Sequence, residues 1–160
     1  MLVCESNTFL SLLGQFWTTV AAGILGLDIH ISSGGISPSI CGQHTIDLLE
    51  GSGATVHRVD ESGERFQVAY GWEKDENLEL WSKHYSNAIQ PGHGFTTVVM
   101  AESKDTVHYT IEGSDAQFRL VYSHADKART QKSGVTTYDD INMCIAGDLS
   151  WLIAHIVRMS

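Results

Sequence analysis

Proline is nearly missing from this chain, with only Pro38 and Pro91 among 160 residues, which excludes proline-rich linkers and extended recognition tracts. Cysteine is also scarce. Cys4, Cys41 and Cys144 are odd in number and widely spaced, so neither a small-domain disulfide framework nor a zinc ribbon is written here, and a reducing, cytoplasmic setting fits best. Basic residues are few: 10 against 19 acidic, for a formal charge of −9. That balance repels phosphate backbones, which are bound by clustered Lys and Arg, and excludes nucleic acid as a direct partner. A clean membrane span is missing as well. The uncharged stretch 6–27 is interrupted by Gly14, Gln15, Thr18 and Thr19 and has no flanking Lys or Arg, so it reads as a buried or interface helix rather than a signal or anchor.

What is present is enough apolar material, 42% of residues, for one ordinary core, and the length suits a single domain over 1–160. Ser6 and Asn7 offer N-caps for a first helix to about Leu25, with Phe9, Leu13, Phe16, Val20 and Ile24 at helical spacing. Asp28 to Gly35 reads as a strand fragment or loop. Ser37-Pro38 starts a second helix, ended by Gly51-Ser52-Gly53. Two strands, Ala54 to Val59 and Phe66 to Trp72, flank a hairpin loop, with Phe66, Val68, Tyr70 and Trp72 on one face.

From Asp75 to Ile89, the residues Leu78, Trp81, Tyr85, Ala88 and Ile89 keep helical spacing, and Pro91 stops that helix. A short helix, Phe95 to Glu102, follows the Gly92-His93-Gly94 turn. Thr106 to Ile111 and Gln117 to His124 alternate as strands, and the polar segment 125–134 is a loop or arm. The clearest element is last. Thr137 and Asp140 form a variant capping box before Ile141, Cys144, Ile145, Leu149, Leu152, Ile153 and Ile156, which make one apolar stripe.

Eight histidines raise the question of a metal. Cys41 and His44 are the close Cys/His pair, but no second pair completes a tetrahedral set, so no metal site is expected and no cofactor is named. His57 and His108 lie in predicted strands of unknown sense. His93 sits between two glycines at a predicted helix start, where free N–H groups and the helix dipole favour an anionic group. Tyr70, Trp72, Trp81 and Tyr122 supply aromatic walls for a pocket. No Gly-x-Ser-x-Gly elbow or cysteine-enzyme signature is present, which lowers the expectation of an enzyme.

Three stretches resemble a GAF-type sensor domain: Cys41 to Asp60 (CGQHTIDLLEGSGATVHRVD) feeding Phe66 to Trp72 (FQVAYGW); Ile89 to Gly94 (IQPGHG); and Tyr138 to Ile141 (YDDI) leading into Asp148 to Ile156 (DLSWLIAHI). The resemblance spans roughly residues 38–158. It implies an α+β fold with a central antiparallel sheet, the terminal helices on one face, and a helical lid over a ligand on the other. It implies a non-enzymatic sensor of a small molecule in signal transduction, with a signalling protein as further partner. Independently, surplus apolar surface at Leu10, Trp17, Met143 and Trp151 predicts a homodimer through the first and last helices.

The expected ligand site joins Tyr70, Trp72, Gly92, His93, Gly94 and His108. Two other readings stay open. One is a small dehydratase or isomerase of the cystatin-like α+β barrel class, using an Asp/His pair; the other is an interaction module without a ligand, permitted by the short region from Glu112 to Asp126.

Overall fold

A computed structural model of the chain describes residues 1–60, 62, 64–71, 76–103, 108–122 and 138–159. In chain order the elements are β1 (Leu2–Cys4), α1 (Leu10–Ile24), β2 (Ser33–Gly35), α2 (Gln43–Gly51), β3 (Thr55–Arg58), β4 (Arg65–Tyr70) and β5 (Glu76–Trp81). A single 3-10 turn (Tyr85–Ala88) precedes β6 (Thr96–Ala101), β7 (Ala116–Val121) and α3 (Tyr138–Met159).

The fold is α+β, but its sheets differ from the expected one. The central sheet has four strands in the order β2-β1-β6-β7, and every neighbouring pair is parallel. Antiparallel pairing is confined to a separate sheet, β3-β4-β5. The expectation of a central antiparallel sheet is therefore corrected. A parallel sheet needs both faces covered, and here both are. Leu2, Cys4, Val98 and Met100 face the main core with Leu12, Leu13 and Phe16 of α1 and Ile145, Leu149 and Leu152 of α3. Val3, Val99 and Ala101 face the other way, against Ile111, Tyr85 and Tyr109. The terminal helices do share one face, as expected.

The helical lid is also corrected. Residues expected as a short helix form β6, where Thr97, Val98, Val99, Met100 and Ala101 are all buried. A strand buried on both faces carries no polar alternation, so its sequence reads like a buried helix turn. The expected helix from Asp75 to Ile89 is likewise a strand and a 3-10 turn. Leu78 and Leu80 share a face of β5, paired with Val68 and Phe66 of β4, and this period of two decides over the coincidental helical spacing.

α1 begins at Leu10 and not at Ser6, because Asn7 has φ 49° and lies outside helical space. It ends as expected of a glycine-capped helix: Gly26 takes φ 65°, and Leu27 N donates to Ala22 O at 2.9 Å. α2 begins at Gln43, well after Ser37-Pro38. The reason is a competing set of partners, since Ser37 N and Ser39 N donate to Glu5 O and Ser6 O and tie that segment to the loop after β1.

The β3-β4 pair is where it was expected, with Phe66 and Val68 buried. The described part of the strand expected at Thr106 to Ile111 has no regular structure, and β7 runs parallel to β6. The long last helix is present, with Ile145, Leu149 and Ile153 buried. Thr137, Trp72, His124 and the polar segment 125–134 lie outside the described residues. No helix among the described residues is long and apolar enough to cross a membrane.

Candidate functional site

The strand order reverses direction of travel at β1: the chain moves from β1 to β2 on one side, then returns to β6 on the other. At such a switch point the connections after the two central strands part, leaving a crevice at their carboxyl ends. Here a cavity of about 400 Å³ opens, lined by Cys4 to Ser6, Thr8 to Leu10, Met100 to Glu102, and Tyr109. Its floor is the loop from Cys4 to Phe9, which joins β1 directly to α1.

That loop is held from all sides. Ser11 Oγ donates to Asn7 Oδ1 at 2.7 Å and lies 2.9 Å from Cys4 Sγ. Because the single hydroxyl proton of Ser11 is committed to Asn7, the Cys4 thiol is the donor of the second contact. Asn7 Nδ2 in turn donates to Trp81 O and Lys83 O, both at 3.3 Å, which fixes the orientation of its amide. Thr8 O accepts from Thr45 Oγ1 at 2.7 Å and from Cys41 Sγ at 3.6 Å. Gly35 packs so closely beneath the loop that a Cβ there would lie 2.9 Å from Asn7 N.

The carbonyls of the loop are thus well used, whereas the backbone N–H groups of Ser6, Asn7, Thr8 and Phe9 have no acceptor among the described residues. No side chain caps α1 either. Successive unpaired N–H groups around a left-handed residue, at a helix N-terminus, make a nest for an oxyanion. The lining is also acidic. Glu5, in the loop itself, and Glu102, just after β6, line the cavity, and the Tyr109 hydroxyl donates to the Glu5 carboxylate. That bond, followed by burial, raises the phenol above its ordinary range. No Lys, Arg or His is among the described lining residues.

Of the six residues expected to form the site, five are described, and neither cavity gathers all of them. Tyr70 is on β4, edge-on to Phe16 with ring centroids 5.9 Å apart, and Trp72 lies outside the described residues. Gly92 is exposed with φ 82°, and His108 is exposed. His93 and Gly94 line a second cavity, of about 390 Å³, at the amino-terminal ends of β1 and β6. Gly94 lies against the carboxylate of the exposed Asp115, which a Cβ there would displace. His93 N donates to Gln90 O at 3.4 Å within a plain turn, and β6, not a helix, follows it.

Cys41 and His44 do not form a metal pair. The His44 ring lies against Phe9 and Tyr138, with centroids 5.8 and 3.9 Å away, and burial raises the Cys41 thiol. No cluster of three or more His, Cys, Asp or Glu suited to a metal occurs among the described residues. His57 is exposed on β3.

Sequence reading passed over the Cys4 loop because β1 is three residues long. The available signal was the order of types: an apolar triplet, Leu2-Val3-Cys4, four polar residues, Glu5-Ser6-Asn7-Thr8, and then a helix. No protein-family model matches the chain, and no curated protein matches it.

Proposed function

We propose that this domain binds a small molecule by one oxyanion group at the Cys4 to Phe9 loop, and that binding is read out by the terminal helices without turnover. The observation carrying this reading is the set of unpaired loop N–H groups at the β1/β6 switch point, above a cavity of ligand size. Glu5 and Glu102 border the same cavity and accept from hydroxyl or ammonium donors that the ligand carries beside its oxyanion.

The absence of turnover is supported by the make-up of the site. No Lys, Arg or His stands among the described lining residues to act as a paired base for the Cys4 thiol. Readout is supported by continuity. The loop runs into α1, and Trp17 Nε1 of α1 donates to Asn142 Oδ1 of α3 at 2.7 Å. A ligand that binds one arrangement of the loop better than another shifts the helix pair accordingly.

Self-association belongs to the same reading, with a change of surface. Leu10 is buried and Trp17 is half-buried against α3, so neither is free to meet a partner. Met143 and Trp151 remain, 65% and 62% exposed on α3. A homodimer through α3, and a cytoplasmic signalling protein that responds to it, complete the proposal.

The test is amide chemical-shift titration with phosphate, sulfate and acetate. Movement of the Ser6 to Ser11 amides, abolished in Gly35→Ala, is the expected result. Unmoved loop amides at tens of millimolar of every probe, on the order of the weakest useful affinity, overturn the assignment.

A further inference from the structure

At the opposite end of the central strands from the Cys4 loop, the second cavity lies between α1, α3 and the segments that lead into β1, β2 and β6. Its side walls are apolar, with Leu149, Leu152 and Ile153 from α3 meeting Ile31 and Phe95. Every titratable group among its described lining residues is basic: the Met1 amine, His30 and His93. In a chain of formal charge −9 that choice runs against composition. Asp28 and Asp115 border the same segments, but both are exposed and neither lines the cavity.

Strand order brings the three basic groups to one end. β2, β1 and β6 are parallel neighbours, with Leu2 level with both Ser33 and Val98, so the residues just before them emerge side by side at the strand spacing of about 4.8 Å. Met1 stands one residue before β1, and His30 and His93 each stand three residues before their strands. The Met1 amine is buried and donates to Thr96 O at 2.7 Å; burial pulls its pKa from 8.0 to about 6, a cost that an anion beside it would offset. His93 Nδ1 lies 3.3 Å from Pro91 O, which leaves Nε2 for a further partner.

We infer that this cavity binds an amphipathic carboxylic acid, its apolar chain against Leu149, Leu152 and Ile153 and its carboxylate among the Met1 amine, His30 and His93. The sign of the head group follows from the lining, where an ammonium would meet only basic groups and a carboxylate meets donors. The exposed His30 and His93 keep that head group at the water boundary, so the anion is not fully desolvated. A volume near 390 Å³ is within the range of small-molecule sites. This site is separate from the oxyanion loop, so either assignment survives failure of the other.

The experiment titrates the whole chain by calorimetry with octanoate, 1-octanol and octylammonium at about pH 6, where imidazoles in their ordinary range are largely protonated and carboxylates ionised. Octanoate should bind tightest, by about tenfold, the size of one charge-assisted hydrogen bond, and should shift the methyl groups of Leu149, Leu152 and Ile153. The double variant His30→Gln, His93→Gln, at two exposed positions, should lose about that tenfold for octanoate and leave octanol affinity unchanged. Ile29→Glu, at a wall residue 48% exposed, should abolish octanoate binding while the circular dichroism spectrum stays that of wild type. Equal affinity for octanol or octylammonium, octanoate affinity unchanged in the double variant, shifts confined to the Ser6 to Ser11 amides, or no octanoate binding at all would each overturn the inference.

Discussion

Asn7 holds the Ser11 hydroxyl proton, at 2.7 Å between Oδ1 and Oγ, and by doing so leaves the Cys4 thiol as donor to Ser11. One asparagine in a left-handed conformation thereby fixes the loop backbone, the rotamer of the first helical serine and the direction of the hydrogen bond between that serine and the cysteine. Its own amide rests on carbonyls from the end of β5 and the segment beyond it, Trp81 O and Lys83 O. The antiparallel sheet thus buttresses a site that belongs to the parallel one.

Asn7→Ala should cost roughly 2–4 kcal/mol, from lost hydrogen bonds and from an alanine forced to φ near 49°. Asn7→Gly should cost about 1 kcal/mol less, since glycine tolerates that backbone. Urea unfolding of the two variants checks the order; equal losses would show that the backbone conformation is not what asparagine supplies.

Gly35→Ala and Gly34→Ala should differ in kind. At Gly34 a Cβ would lie 2.3 Å from Tyr85 Cα, a backbone atom that cannot yield locally, so this variant should lose several kcal/mol, by roughly the scale of severe overpacking. At Gly35 the clash is with Asn7 N at 2.9 Å, and the loop can shift. That variant should stay folded by circular dichroism yet lose the oxyanion response, and an intact response would mean that the loop geometry is not the binding element.

Lys83 predicts a rise of stability with pH. It is 8% exposed, its Nζ lies 3.7 Å from the Trp81 ring centroid, and burial pulls its pKa from 10.5 to about 8. Between those two values the unfolded chain holds more protons than the folded one, so this contribution to stability grows as pH rises through the window. From pH 7 to pH 9.5 the wild type should gain about 1–2 kcal/mol over Lys83→Met. Denaturant midpoints at the two pH values measure it, and a constant difference would contradict the depressed pKa.

Leu149→Asp should unfold the domain or cost several kcal/mol, because Leu149 is 1% exposed and the change adds an unpaired buried carboxylate to lost packing. A melting temperature equal to that of wild type would remove α3 from the core.

Trp151→Glu should convert a dimer to a monomer. Sedimentation velocity at about 50 μM, roughly where an interface of standard size holds, should show the wild type as a dimer. A monomeric wild type would confine Met143 and Trp151 to an unpartnered surface.

Local pattern alone fixed the elements whose signal is local. The hairpin strands β3 and β4 alternate Phe66 and Val68 inward, and the stripe Ile145, Leu149 and Ile153 marks α3; each follows from the period of two or of 3.6 residues and from turn chemistry. The net charge of −9 likewise set the class of partner disfavoured. Only tertiary structure decided the rest. Residues 96–101, two threonines followed by four apolar residues, show no polar alternation, and they become a strand rather than a helix because β1 and β7 supply hydrogen-bond partners from positions 2–3 and 116–121. Parallel pairing joins segments remote in sequence and leaves no turn between them to read. The site followed the same rule: Cys4, Ser11, Gly35, Trp81, Lys83 and Met100 have no common spacing, and they meet because two parallel strands end side by side where the chain changes direction.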